Sequence, residues 1–402
     1  MNIVSQAPLS NASDGPITTE GPASVGIVHD WLTGYAGGEK VLEQILLMHP
    51  HAALYTTIDT LPDSGRAWLH GFKPVTTFAQ RFPFMRKHYR SLLPILMLAV
   101  EQLDVSEHPL ILSTSVSVAR GILTSPDQLH IGYVHAPMRY AWDQQHQYLR
   151  ESGLDSGLKG MIARWLLHKA RIWDLRGANG VDYFIANSNF IARRIWKVYR
   201  RPAAVIYPPV DTEQFAFCEK KENFYLIVSR MVPYKKIPLI VEAFARMPDK
   251  KLIVVGHGPQ MNAVKKVATK NVEILGFQPA EVVSDLMQRT RAFVFAAEED
   301  FGIAPVEAQA CGTPVIAFGR GGVLESIRGL THARPTGTFF SEQTPAAIAQ
   351  AVDDFERNMD RLEPQACRDN ALRFSIPTFN TNYREFVRKR WDAFAAGERL
   401  PE

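Results

Sequence analysis

EEDFGIAPVEAQACGTPVIAF, Glu298 to Phe318, is the stretch that decides how this chain is read. It follows an apolar run, Ala292 to Ala297, and runs out into TPVIAF; both flanks read as buried strands. Between them stand two carboxylates, Glu299 and Glu307, with a Phe-Gly turn and a proline. Pro305 suits the first turn of a helix, where a missing N–H costs nothing. Backbone N–H groups from Gly302 to Val306 then face whatever lies beyond the strand end, which makes an anion site at a helix N-terminus. Taken singly, either Glu is explained by the helix dipole and by capping. Taken together they bracket the anion site with acceptors for hydroxyls, and a phosphate joined to a polyol describes a nucleotide sugar.

Working outward, the rest of the chain repeats the strand-then-helix pattern. VGIVHD, AALYTTID, LILSTS, HIGYVHA, YFIANS and AAVIYPPV are strand candidates, with helical patterns at Gly38 to Met48 and Leu158 to Arg176. After Pro208–Pro209 the alternation restarts with FYLIVSR, KLIVVGHG, VEILGF, AFVFAA and TPVIAF. Near-continuous apolar strands alternating with helices indicate parallel sheets covered on both faces. The expected class is α/β: two Rossmann-like, doubly wound domains facing a cleft, with ligands at the strand C-terminal ends. The expected divisions are a mobile tail at 1–24, a first domain at 25–208, a second at 209–376, and a terminal amphipathic helix within 377–402.

Composition narrows the class. A chain of 402 residues, 46% hydrophobic and 21% charged, is long enough for two ordinary domains with their own cores. A net charge of +4 is too small by itself to point to nucleic acid. Cys218, Cys311 and Cys367 are scattered, odd in number and lack metal spacing, which fits a reducing cytoplasm. The first 24 residues hold no Lys or Arg and no long apolar core, so they do not read as a signal peptide. No window reaches the roughly 18 to 20 apolar residues of a membrane span.

Further candidates sit at other strand ends. VSRMVPYKK places Arg230 and Lys235 just after a strand, where cations meet a diphosphate, with Lys236 as the neighbouring alternative. Gly37 and Gly38 open a helix in TGYAGGEKV, His135 ends the strand of HIGYVHAPMRYAWD, and GHGP and GFQP close two more strands. No Asp-x-Asp occurs, the short acidic pattern that holds a divalent ion against a sugar diphosphate.

The string around Glu299 and Glu307, with seven residues between the two carboxylates, resembles the E-x7-E signature of the retaining, nucleotide-sugar-dependent glycosyltransferases of family 4, which have the GT-B fold. The HAPMRYAWD string, Arg230 with Lys235, and the Gly-Gly turn are similar to the bacterial polysaccharide and O-antigen mannosyltransferases of that family. The resemblance implies hexose transfer, with mannose from GDP-mannose as the donor, no cofactor and no metal. Catalytic roles fall to His135, Arg230, Lys235 and Glu299. Donor-binding roles fall to Gly37, Gly38, Gly256, Phe277, Gln278, Glu281, Phe301, Gly302, Ile303, Ala304 and Glu307. Arg139 and Asp143 are acceptor-side or structural. The last helix is implied to cross back onto the first domain. A UDP-sugar transferase on the same scaffold, a nucleotide-sugar 2-epimerase and a silent membrane-associated subunit are the competing readings.

The acceptor is expected to be a glycan linked to a polyprenyl diphosphate at the inner face of the cytoplasmic membrane. Between Arg66 and Val100 there is no acid, and Arg66, Lys73, Arg81, Arg86, Lys87 and Arg90 alternate with Phe72, Phe78, Phe82, Phe84, Met85 and Tyr89. Such interleaving suits an anionic lipid surface and equally a solvated helix over buried aromatics; no nucleic-acid motif accompanies it.

Overall fold

The structure is a computed structural model, and it describes residues 22–82 and 89–398. The first domain holds β1 (Val25–His29), β2 (Ala53–Thr56), β3 (Val75–Thr76), β4 (Leu110–Ser115), β5 (Leu129–Val134), β6 (Tyr183–Ala186) and β7 (Ala203–Val205). The second holds β8 (Tyr225–Val228), β9 (Leu252–Val255), β10 (Val272–Gly276), β11 (Ala292–Phe295), β12 (Val315–Phe318) and β13 (Gly337–Phe340). Their orders are β3-β2-β1-β4-β5-β6-β7 and β10-β9-β8-β11-β12-β13. Every pairing is parallel. Helices cover both faces, so β1, β4 and β5 are buried along their whole length, which is why they read as unbroken apolar runs. The short edge strands β3 and β13 are additions that the sequence pattern did not announce.

Each order reverses once, between β1 and β4 and between β8 and β11, and a crevice opens beyond the strand ends at such a point. The chain passes between domains twice. Ile206 packs in the first domain's core and Val210 in the second's, while Phe374 belongs to the second and Phe379 to the first. The crossings are tied together, because the Val210 N–H donates to the Phe374 carbonyl at 2.9 Å. The final helix, Ile376–Ala395, sets Phe379, Tyr383 and Val387 against Ile27, Ile45 and Leu110 of the first domain.

Behind the first crevice lies a buried polar network. Asp30, at the end of β1, accepts the backbone N–H groups of Val116, Ser117, Val118 and Ala119 at 2.6 to 2.9 Å. Ser115 Oγ donates to Asp30 at 3.2 Å and accepts from Arg120 at 2.9 Å. Arg120 pairs with Asp174, which also accepts from Trp142 Nε1 at 2.7 Å and Tyr199 at 2.9 Å. Burial works against the Arg120 charge, but Asp174 and Tyr199 hold its pKa above the usual value. A buried ion pair is tolerable only when most of its remaining polar atoms find partners, and here Arg120 Nε is left without one among the described residues.

Two sequence expectations change here. Ser24 Oγ is 2.6 Å from His108 Nδ1, so the tail placed at 1–24 is anchored at its last residue; residues 1–21 lie outside those described. Part of the basic, aromatic stretch is engaged in the fold, while Lys73, Phe78, Arg81 and Phe82 are exposed. Arg66 Nη2 reaches Asp59 at 2.7 Å, Phe72 packs on the first core, and Tyr89 is buried beside Trp31 at a ring separation of 5.0 Å. Phe84, Met85, Arg86 and Lys87 lie outside the described residues. Among the described residues, no helix is long and apolar enough to cross a membrane.

His130 is wholly buried on β5, its Nδ1 donating to the Gly180 carbonyl at 3.1 Å and its Nε2 accepting from Ser113 at 2.8 Å. Burial pushes it down to about 4, the Gly180 carbonyl opposing. The unfolded chain, with an ordinary histidine near 6.5, binds the proton first as pH falls. Stability from this group is therefore complete above about pH 6.5 and is lost on acidification toward about pH 4. In denaturant titrations against pH, His130→Gln should flatten the acid limb by up to about 1.4 kcal/mol per pH unit relative to wild type. Parallel limbs would assign the acid sensitivity to other groups.

Candidate active site

The two crevices face each other and enclose a cleft of about 480 Å³. Gly37, Gly38, Lys40, His135 and Arg139 line it from the first domain; Arg230, Lys235, Glu299, Gly302, Ile303 and Glu307 line it from the second. The Gly-Gly turn lies tight against the opposite wall. A Cβ on Gly37 would stand 2.9 Å from Ile303 Cδ1, and one on Gly38 would stand 3.6 Å from His135 Nε2.

The helix after β11 spans Ile303–Ala310 and is capped by Gly302 at φ 88°, a left-handed conformation that a side chain resists. A Cβ there would also press on Val323 at 3.0 Å. Pro305 stands third in the helix and has no N–H, while the Val306 N–H is used inside the helix by ordinary i→i−4 bonding. The N–H groups of Gly302, Ile303 and Ala304 are left without a helical partner at the cleft wall, fewer than the run from Gly302 to Val306 that the sequence implied. The Phe301 ring is buried against Tyr207 and Phe374 at 5.6 and 5.2 Å, which fixes this turn to both interdomain crossings.

Two lysines of the cleft are already matched with carboxylates, and among the described residues Arg230 is not. Lys235, in the turn Pro233–Lys235, forms an ion pair with Glu299, and its Nζ lies 5.6 Å from the centre of the Phe295 ring. Burial, then Arg230 and Arg139, push the Lys235 ammonium down to about 8, and Asp300 opposes them. Arg230 lines the same wall and has no ion-pair partner among the described residues. Glu307 accepts from Lys40 Nζ at 2.7 Å, a bond that spans the cleft from one domain to the other. Lys40 was missed in the sequence, where it is indistinguishable from a solvated helix lysine.

The HAPMRYAWD string separates into distinct duties. His135 is buried, its carbonyl accepts from Asn187 at 3.0 Å, and its Nε2 has no partner among the described residues. Burial and the neighbouring His29 push it down to about 4, so it stands neutral in the cleft wall. Arg139 reaches Asp300 at 3.4 Å, and Arg194 joins Asp300 at 3.3 Å to Asp143 at 2.8 Å. Tyr140 meets Ser117 at 2.9 Å and Trp142 meets Asp174, so both belong to the buried network.

Four of the residues expected on the donor are not among those that line this cavity. Gly256, at φ 132°, packs against the Ser229 carbonyl, where no Cβ fits, and so shapes the Arg230 loop from behind. Phe277 is 81% exposed, Gln278 Nε2 donates to the Leu275 carbonyl at 2.8 Å, and Glu281 is an exposed first-turn residue of the helix Ala280–Arg289. Lys236 lines an adjoining recess of about 800 Å³ together with Arg139, Tyr148, Arg150 and Arg230.

Residues 211–373, most of the second domain, match the family described as glycosyl transferases group 1. The chain is 27% identical over 248 residues to D-inositol 3-phosphate glycosyltransferase of Mycobacterium marinum, covering 54% of this chain and 52% of that protein. Its counterpart in Mycobacterium bovis is 29% identical over 203 residues, 44% of this chain and 41% of that one. The chain thus spans about half the length of the curated relatives it matches. Among solved structures, sucrose-phosphate synthase of Thermosynechococcus elongatus superposes with a TM-score of 0.69 at 16% identity, covering 92% of this chain and 99% of that one. Anabaena HepE in complex with UDP superposes with a TM-score of 0.65 at 16% identity, covering 90% and 99%. Two parallel-sheet Rossmann-like domains meeting at their switch points, with these neighbours, define the GT-B fold.

Proposed function

We propose that this protein transfers a hexose from a nucleoside diphosphate sugar to a glycan acceptor, with retention at the anomeric carbon and without a metal ion. The observation that carries the reading is the meeting in one cleft of Arg230 and Lys235 with Glu299, Glu307 and a helix N-terminus. In this reading the diphosphate lies among Arg230, Lys235 and the N–H groups of Ile303 and Ala304. The ribose hydroxyls fall to Glu307, and the transferred sugar to Glu299 and the open Nε2 of His135.

The bond from the anomeric carbon to the diphosphate breaks with its electron pair leaving on the phosphate oxygen. The acceptor oxygen bonds that carbon from the same face, and its proton passes to the departing oxygen. No protein base is needed, and a neutral His135 fits a positioning contact. Fixed cations stabilise the charge that develops on the leaving group. The recess holding Tyr148, Arg150 and Lys236 opens beside Arg230 and suits the acceptor, read here as a glycan on a polyprenyl diphosphate at an anionic leaflet.

Mannose from GDP-mannose is the donor proposed, on the likeness of HAPMRYAWD to bacterial mannosyltransferases. A UDP-sugar is the second reading. It is favoured by UDP-glucose in the HepE neighbour, and Glu281, the acid nearest the GFQP loop, does not line the cleft. An inositol phosphate acceptor, as named for the mycobacterial relatives, is the corresponding alternative.

Competition with free nucleotides decides the donor: tight inhibition by GDP with weak inhibition by UDP supports mannose from GDP-mannose, and the reverse order replaces it. Full turnover should persist in EDTA, whereas a strict Mg²⁺ or Mn²⁺ requirement contradicts the metal-free reading. Arg230→Ala or Lys235→Ala should leave the fold intact and lower turnover roughly 100-fold or more, the loss typical of one transition-state donor. Activity within about threefold of wild type in both removes the assignment. By calorimetry, Glu307→Ala should weaken binding of the bare nucleoside diphosphate, while Glu299→Ala spares it and damages transfer. Equal losses of nucleotide affinity contradict this division.

A further inference from the structure

The helix Gly157–Ala178 is apolar on two opposite sides. Inward, Leu167, Ala170 and Trp173 pack with Leu96, Ala119 and Ile122 of the first domain. Outward, Leu158 is 71% exposed, Met161 65%, Ile162 51%, Trp165 59% and Ile172 54%. At 100° per residue these five fall in one sector, turned away from Ala170. A helix with one buried stripe normally carries polar residues on its other face. Here the second face is a contiguous apolar strip, which marks an interaction surface.

Charge identifies the partner. Exposed Lys169 falls within the strip, between Trp165 and Ile172, Arg164 lies to one side of it, and Lys159 lies near its start. Lys169 Nζ sits 5.8 Å from the centre of the Trp165 ring. The helix's one acid, Asp174, is buried against Arg120. Apolar residues and a Trp rimmed by cations, without an exposed carboxylate on the helix, match the interfacial region of an anionic bilayer. Glu151, on the rim of the recess holding Tyr148 and Arg150, precedes this helix by six positions in the chain.

We propose that the outward face of Gly157–Ala178 docks the protein on an anionic lipid leaflet. Leu158, Met161, Ile162, Trp165 and Ile172 enter the headgroup boundary, and Lys159, Arg164 and Lys169 meet lipid phosphates. The docking deepens the lipid-linked reading of the acceptor and rests on it for its purpose, although the contact itself needs no sugar.

Flotation of the full chain with phosphatidylglycerol-containing vesicles, and with phosphatidylcholine alone, tests it. Wild type should float with the anionic vesicles and less with neutral ones. Binding should weaken between about 0.1 M and about 1 M salt, as the Debye length falls from about 10 to about 3 Å. The triple variant Met161→Ser, Ile162→Ser, Trp165→Ser should lose roughly tenfold or more in partitioning at low salt. Lys159→Ser, Arg164→Ser, Lys169→Ser should lose chiefly the salt-sensitive part. Nucleoside diphosphate affinity, read by calorimetry, should be unchanged in both variants, which shows that the fold is retained. Wild type that does not float, or an apolar triple variant that floats like wild type, overturns the proposal. So does light scattering that finds a wild-type dimer which the apolar variant dissociates, since the strip is then a self-association face. Vesicle binding without nucleotide binding would sink the transferase reading and leave the docking intact; nucleotide binding without vesicle binding would do the opposite.

Discussion

The cleft depends on Asp300. It leaves the end of β11 in the second domain and lies between Arg139 and Arg194 of the first, at 3.4 and 3.3 Å. Burial raises the carboxyl's pKa, the two guanidinium groups draw it back, and Asp143 opposes them. The same residue's carbonyl accepts from Ser188 Oγ at 2.6 Å, where Ser188 caps the helix Asn189–Tyr199. Glu325 of the second domain accepts the next two backbone N–H groups, Asn189 and Phe190, both at 2.8 Å. One helix N-terminus in the first domain thus receives both a carbonyl and a carboxylate from the second, a favourable placement for negative charge. Hydrogen bonds to charged groups contribute about 1.5 to 3 kcal/mol each. A handful of them is enough to hold two separately cored domains face to face.

That approach gives the cleft charges their partners. With the domains apart, Lys40 and Glu307 would each be solvated; together they are 2.7 Å apart. Lys235 and Glu299 pair within the second domain, beside an Arg230 that no carboxylate among the described residues neutralises. Lys235 therefore holds a carboxylate partner before any ligand arrives, and an incoming anion exchanges for that carboxylate instead of for solvent. Such preorganised charge is worth far more in a dry cleft than on an open surface.

Much of the architecture was legible because a strand buried on both faces must be apolar throughout, and because parallel strands need helices between them. Where that logic thins, the reading fails. β3 is two residues long and β13 begins at a glycine, so neither shows a pattern to detect. The helix Gly157–Ala178 was visible as a helix but its outward face was not, since apolar residues on opposite sides cancel the helical periodicity. Arg66 was grouped with a lipid-facing patch, but Asp59 lies seven positions upstream and the intervening turn brings the two to 2.7 Å.

The sequence by itself determined which segments become strands, where each strand ends, and which kinds of chemical group stand at those ends. Burial, turn chemistry and helix capping act over one element and its neighbours, so a window of some twenty residues contains them. Tertiary structure alone decided which of those groups meet. Lys40 and Glu307 are 267 positions apart, and Arg139 and Asp300 are 161 apart. It also brought Lys40 into the cleft wall. The physical reason is range: an ion pair or hydrogen bond acts over about 3 to 4 Å, and only the packing of two sheets at their switch points sets separations that small between distant parts of the chain.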